Sequence, residues 1–260
     1  MDNIENIKEE FGRLLEIMET LRGDDGCPWD REQTFESLRQ YLLEETYEVL
    51  ELIDEGRFDE LKNELGDLLL QVIFQSQIAS EENRFNIEDV IRVINGKLIH
   101  RHPNVFGDVE IKNAEEQTVN WEKMKRKEGK KSVIDGVPTA LSSLLRAHRL
   151  QGKASTVGFD WNSIEPVWDK LYEEIEELKK AISSAERDKI EEEFGDVLFS
   201  MVNLSRFIKV NPEDALRIAI KKFIRRFHGV ENRLASQGKK IHETSLEEMD
   251  EIWNDLKNEI

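Results

Sequence analysis

Two stretches decide the fold: Tyr41-Leu42-Leu43-Glu44-Glu45-Thr46-Tyr47-Glu48 and Asn63-Glu64-Leu65-Gly66-Asp67-Leu68-Leu69. Glu45 and Glu48 are three residues apart, as are Glu64 and Asp67, and residues at that spacing share one face of a helix. The sixteen residues from Glu48 to Glu64 are enough to finish one helix, turn and begin a second running back. Leu38, Tyr41, Glu45, Glu48 and Leu52 form one stripe with steps of three or four, so acids stand where an amphipathic helix places its buried face. Carboxylates turned toward a partner helix repel one another and lose hydration. A hard divalent cation with oxygen ligands relieves both penalties, and Mg²⁺, or Mn²⁺ in its place, suits such a donor set.

The same pattern returns 129 residues later. Lys170-Leu171-Tyr172-Glu173-Glu174-Ile175-Glu176-Glu177 answers the first stretch, and Glu192-Glu193-Phe194-Gly195-Asp196-Val197-Leu198 the second. Val167, Leu171, Glu174, Leu178 and Ala181 form the comparable stripe. The candidate metal ligands are therefore Glu45, Glu48, Glu64 and Asp67 in one copy and Glu174, Glu177, Glu193 and Asp196 in the other. After a four-residue gap Asn86-Ile87-Glu88-Asp89 matches Asn211-Pro212-Glu213-Asp214, and Lys97 to His102 matches Lys222 to Phe227. Trp121 and Trp253 stand near the two ends, each followed four residues on by a lysine, Lys125 and Lys257. Shared order and spacing read as one ancestral unit used twice, since two copies are too few for a solenoid. Gly66 and Gly195 interrupt helices at a cost of about 1 kcal/mol against alanine, which a close helix approach or clearance for a ligand would justify.

Helical periodicity predicts elements at about 4–22, 34–54 with Thr34 as cap, 59–81, 87–101 capped by Asn86, 113–127, 139–151, a helix capped by Asn162 or Ser163 running to 183, 185–208, 211–230 and 246–258. Pro103 to Asp108 reads as irregular. No alternating strand pattern occurs. The fold class is all-α, as tandem modules at 1–128 and 139–260 joined by a linker at 129–138. Hydrophobic residues make up 38% of the 260, enough for a core, and the formal net charge is −18. That charge argues against a duplex nucleic acid as partner. No run approaches the ~18 apolar residues of a membrane span. The single cysteine, Cys27, and an N-terminus without signal-peptide character fit a cytoplasmic protein.

Cations stand at repeated positions in this acidic chain. Lys97 and Arg101 share one helix face, as do Lys222 and Arg226, and these residues would meet a triphosphate from the side opposite the metal. Salt bridges to neighbouring glutamates are the plainer alternative. Trp29, Trp121, Trp161 and Trp253 offer one stacking partner per module, or simply packing. A redox di-iron bundle draws on Glu-x-x-His motifs, which neither hairpin has, and the 5 histidines form no repeated pair.

Together, Gly26-Cys27-Pro28-Trp29-Asp30, Leu43 to Glu48, Glu64 to Leu68, Asp135-Gly136-Val137-Pro138, Val157-Gly158-Phe159-Asp160-Trp161 and the second acid pair resemble the MazG family of nucleoside triphosphate pyrophosphohydrolases. The resemblance spans nearly the whole chain. It implies a dimeric, all-α helical bundle in which helices of two chains complete a site. It implies Mg²⁺-dependent hydrolysis of NTPs and dNTPs to a monophosphate and pyrophosphate. It carries metal binding to the eight acids named above, and nucleotide contact to Lys222, Arg226 and Trp253, with Lys189 within reach of phosphates. For the proton-accepting role the candidates are Glu193 and the outer acid Glu173, with Glu64 and Glu44 as their counterparts. His100 replaces Arg225 in the first copy, and the preceding loop is longer there, which alters substrate fit. Two other readings stay open: a phosphatase specialised for one modified nucleotide, and a non-catalytic helical binding protein.

Overall fold

The structure, a computed structural model, describes residues 2–109, 111, 113, 116, 117 and 132–258. It is all-helical, with no strand among the described residues. The chain divides into two compact units, Met1–Ile111 and Lys112–Ile260. Trp121 and Lys125 lie outside the described residues, as does most of the helix expected over 113–127.

The first unit holds α1 (Asp2–Arg22), a short α2 (Pro28–Glu32), α3 (Arg39–Glu55), α4 (Leu61–Glu81), α5 (Ile87–Arg101) and a short α6 (Pro103–Phe106). Helices α3 and α4 form the expected hairpin, and α1 packs along α4. Met18, Leu38, Ile73, Phe74 and Ile78 are its buried core, with Phe11, Leu14, Leu15, Phe35, Tyr41, Leu70 and Ile87 around them. Each fully buried aliphatic side chain there contributes about 1.5–3 kcal/mol. The hairpin turns at Gly56, whose φ of +68° closes α3 in the left-handed conformation that glycine adopts without strain.

The second unit holds α7 (Ser143–Ser155), α8 (Glu165–Ser184), α9 (Arg187–Phe207), α10 (Pro212–Ser236), a 3₁₀ turn (Ile241–Glu243) and α11 (Leu246–Asn258). The α8–α9 hairpin repeats α3–α4 around a core of Val167, Leu171 and Leu204. Helices α10 and α11 build a separate cluster from Val230, Leu234, Ile252 and Leu256. The turn between α8 and α9 differs from its counterpart: Ala185 takes a φ of +57° where the first unit has Gly56.

Several caps act as read. Asn86 accepts from Asp89 N–H at 3.1 Å while the Asp89 carboxylate accepts from Asn86 N–H, a complete capping box. Asn211 Oδ1 accepts from Glu213 N–H at 3.0 Å, with Pro212 at the first helical position. Others shift. Thr34 and Ser37 exchange side-chain and backbone hydrogen bonds in a turn of their own, so α3 begins five residues later, at Arg39. Neither Asn162 nor Ser163 caps α8, which starts after Ile164 with a proline in its first turn. Pro166 has no N–H, which leaves one fewer donor to satisfy. The connecting helix expected at 139–151 lies at Ser143–Ser155, α10 continues to Ser236, and a turn of helix replaces the irregular start of 103–108.

Candidate metal and phosphate site

Each hairpin brings its acids together. In the first unit, ligand oxygens of Glu45, Glu48 and Glu64 all lie within 4.8 Å of one another. In the second, those of Glu174, Glu177 and Glu193 do the same. The cause is local: residues three apart on one helix meet residues three apart on its antiparallel neighbour. Asp67 and Asp196 fall outside these triplets, but their charges act on them, Asp67 on Glu45 and Glu64, and Asp196 on Glu193.

The electrostatics record the crowding. Burial pushes the Glu45 carboxyl above its ordinary range, helped by the charges of Asp67, Glu48 and Glu44. A hydrogen bond with Glu48, which requires that one of the two hold a proton, does the same for Glu64, with burial and the charges of Glu48, Asp67 and Glu45 adding to it. Glu193 is raised by burial and then by Glu177, Asp196, Glu174 and Glu192. A carboxylate cluster in which burial, hydrogen bonding and neighbouring negative charge hold Glu45, Glu64 and Glu193 above their ordinary range fits a hard divalent cation.

The two sites are not identical. In the second, Lys170 Nζ donates to Glu174 at 2.6 Å and lies 3.2 Å from Glu173. Glu174 is buried, at 6% exposure. Its bond to Lys170, with that of Glu173, holds the ammonium well above the usual lysine range. Tyr41 occupies the matching position in the first unit, stacked edge-on to Trp29. Sequence reasoning passed over Lys170, although it stands one helical turn before Glu174.

Glu44 and Glu173 sit on the outer, exposed side of their helices. Lys189 is exposed one turn before Glu193 and pairs with Glu186 at 2.9 Å. Lys222, Arg226 and Trp253 gather on the α10–α11 pair: the Arg226 guanidinium lies 5.9 Å from the Trp253 ring, which is tilted 5.4 Å from Phe223. Nε of Arg226 is buried with no hydrogen-bond partner. Helix α10 packs mainly on α11 and α7, so the cationic cluster and the acid cluster are built on different helix pairs. Lys97 and Arg101 are on α5, Lys97 exposed and Arg101 half-buried. Gly66 and Gly195 correct one expectation. A Cβ at either would meet nothing within 4 Å, so neither glycine serves a close helix approach.

Among the described residues no helix is long and apolar enough to cross a membrane. The profile of the MazG nucleotide pyrophosphohydrolase domain matches the chain twice, at residues 33–106 and 163–230, each match containing one complete acid quartet. The chain is 50% identical over 250 residues to the nucleoside triphosphate pyrophosphohydrolase/pyrophosphatase MazG of Thermotoga maritima, covering 95% of each. It is 45% identical over 257 residues to the nucleoside triphosphate pyrophosphohydrolase of Escherichia coli K12, covering 96% of this chain and 98% of that one. A nucleoside triphosphate pyrophosphohydrolase of Mycobacterium tuberculosis is 43% identical over 153 residues, 58% of this chain and 46% of its own. With two domain matches set on two carboxylate hairpins, and full-length relatives at this identity, the chain belongs to the MazG nucleotide pyrophosphohydrolase family.

Proposed function

We propose that the protein hydrolyses nucleoside triphosphates, ribo- and deoxyribo-, to the monophosphate and pyrophosphate, with Mg²⁺, by attack of water at the α phosphorus. The observation that carries this reading is the pair of carboxylate triplets within 4.8 Å, each repeated at the same place in a matched domain. Glu45, Glu48, Glu64 and Asp67, and Glu174, Glu177, Glu193 and Asp196, are the residues that would hold the ion, with Mn²⁺ as a substitute. When bound, such an ion neutralises phosphate oxygens and lowers the pKa of water. Functional modules at 1–128 and 139–260 would each include the late tryptophan and lysine.

The chain's own residues supply the rest. The proton acceptor is Glu193 or the outer Glu173 in the second unit, and Glu64 or Glu44 in the first. Lys170, already paired to Glu173 and Glu174, stands ready to exchange a carboxylate for a phosphate oxygen. The Arg226 guanidinium and the Lys222 ammonium, one turn apart on the same helix, suit the departing pyrophosphate. Since they belong to a different helix pair from the acids, a homodimer in which one copy's α10–α11 reaches the other's hairpin is the arrangement proposed. Exposed Tyr172, Phe194, Leu198, Phe199 and Met201 on α8 and α9 support it, being more apolar surface than a solvated hairpin carries.

The test is product identification on a panel of NTPs and dNTPs with Mg²⁺, for the native protein, Glu64→Gln, Glu193→Gln and the double variant. Pyrophosphate and monophosphate are expected, with each single variant losing one unit's share and the double variant inactive. Orthophosphate as first product, or full activity of the double variant with its helical content intact, would refute the assignment.

A further inference from the structure

The two acid clusters are alike in their ligands and unlike in what flanks them. One turn before Glu174, Lys170 Nζ donates to its carboxylate at 2.6 Å and lies 3.2 Å from Glu173. One turn before Glu45 the first hairpin has Tyr41, half-buried and edge-on to Trp29 with ring centroids 5.7 Å apart. The charges that act on Glu45 and Glu64 are those of other acids. Among the described residues no lysine or arginine is bonded to any of Glu45, Glu48, Glu64 and Asp67. The first cluster thus has no positive partner of its own, and the second has one built in.

The other helix of each hairpin repeats the difference, with an ion pair whose signs are exchanged. Arg57 bonds Glu60 ahead of α4, and 129 residues later Glu186 bonds Lys189 at 2.9 Å. Glu60 and Lys189 stand one helical turn, ~6 Å of rise, before Glu64 and Glu193, while Arg57 and Glu186 stand farther off. The end of the pair nearer the acids is therefore negative in the first unit and positive in the second. Both pairs are exposed, so their effect is the smaller one, but it has the same sign as that of Lys170. A carboxylate cluster that already holds an ammonium is a weaker ligand for a divalent ion, which must displace that charge or be repelled by it. Because the ammonium is tethered to the same helix, dilution does not lower the concentration at which it competes.

We propose that the two clusters load their divalent ion in different ways: the first takes the free ion from solution, whereas the second takes it together with the triphosphate, Lys170 yielding Glu174 as it does so. The inference rests on the metal and nucleotide reading of the clusters. A triphosphate carries the negative oxygens that the ammonium needs in place of Glu173 and Glu174, so Lys170 leaves the carboxylates without losing a partner. Buried Glu174, at 6% exposure, then has the ion as its counter-charge. The ion of the first unit becomes part of the folded hairpin, present with or without nucleotide. That of the second is a co-substrate, and its site is completed when there is a triphosphate to cleave.

Equilibrium dialysis of the full chain against Mn²⁺ reads this without turnover. The native protein is expected to show two equal classes of bound ion, with dissociation constants at least about tenfold apart. Glu45→Gln should remove the tight class and Glu177→Gln the weak one. ATP with an imido bridge between its α and β phosphorus atoms, which resists cleavage there, should tighten the weak class by at least about tenfold. Exchanging the flanks should exchange the behaviour: Lys170→Met tightens the weak class and Tyr41→Lys weakens the tight one, each by about tenfold, with helical content by circular dichroism unchanged. A single class in the native protein, loss of the tight class in Glu177→Gln, or constants unmoved in Lys170→Met would overturn the proposal. No binding of Mn²⁺ at all would overturn it and the metal reading with it. Two ordered classes in a protein that releases no pyrophosphate would leave the loading order standing and defeat the hydrolase reading instead.

Discussion

Replacing Lys170 by methionine separates a metal site from a patch of acidic surface. Lys170 is the one cation bonded to the second triplet in the described structure, 2.6 Å from buried Glu174 and 3.2 Å from Glu173. Methionine keeps the aliphatic stem and removes the charge, leaving a carboxylate at 6% exposure among Glu177 and Glu193. A fully buried pair broken in this way costs about 3–5 kcal/mol. The Lys170 side chain is 37% exposed, so the loss is discounted to that of a charge-assisted hydrogen bond, about 2 kcal/mol. For a unit of this size that lowers Tm by ~4–8 °C. The drop is expected in full when metal is chelated. With Mg²⁺ at about 100 times its Kd, binding adds ~2.7 kcal/mol, and most of the deficit should vanish because the ion supplies the missing positive charge. Linkage requires the reciprocal effect: the variant should bind Mg²⁺ about tenfold more tightly than the native protein. Differential scanning calorimetry in chelator and in Mg²⁺, with a Mg²⁺ titration of both proteins, reads these quantities. Lys179→Met, which breaks an exposed pair to Glu176 on the same helix, is the control and should do little. An equal Tm drop in both conditions together with unchanged Mg²⁺ affinity would show that Glu174 is not a ligand.

Two further outcomes follow from the structure. In the first unit the guanidinium of Arg22 grips Glu81 through bonds of 2.6 to 3.1 Å, and these, with Gln77, hold the Glu81 carboxyl below its ordinary 4.5. A depressed acid contributes stability above its unfolded pKa and loses it as pH falls through the folded value. Glu81→Gln should therefore unfold at lower urea than the native protein at pH 7, the gap closing as pH drops well below 4.5; a gap constant with pH would refute the linkage. At Gly195 a Cβ meets nothing, so Gly195→Ala should gain about 0.4–1 kcal/mol in denaturant unfolding while lowering nucleotide turnover, because the open space beside Glu193 and Asp196 is where substrate would lie. Undiminished turnover would show that the glycine does not serve ligand clearance.

What the sequence made legible, and what it hid, divides along the range of the interactions involved. The hairpins were readable because an i, i+3 spacing of acids fixes a helix face, and two such faces sixteen residues apart can meet in one way. The capping box at Asn86 and the start at Asn211-Pro212 were readable for the same reason, each being settled within four residues. Thr34 misled because its side chain has a nearer competitor: Ser37 answers it with a reciprocal bond, and the helix is delayed by that turn. At Gly66 and Gly195 the choice between close helix approach and ligand clearance stayed open in the sequence, because periodicity shows that a glycine lies inside a helix but not whether anything lies opposite. A cavity of the second unit, beside α7 and α9, was beyond reach altogether. It depends on Gln151 and Asn203, 52 positions apart, being turned by a carbonyl on one side and an arginine on the other. Yet the repeat holds the clue to it, since Phe74 and Asn203 are equivalent positions of opposite polarity. A buried phenyl completes the first core, whereas an amide at the same position can be kept only if something hydrogen-bonds to it. Divergence between copies at a core position marks where duplicated modules have parted in their packing, just as agreement at the eight acids marks what they share.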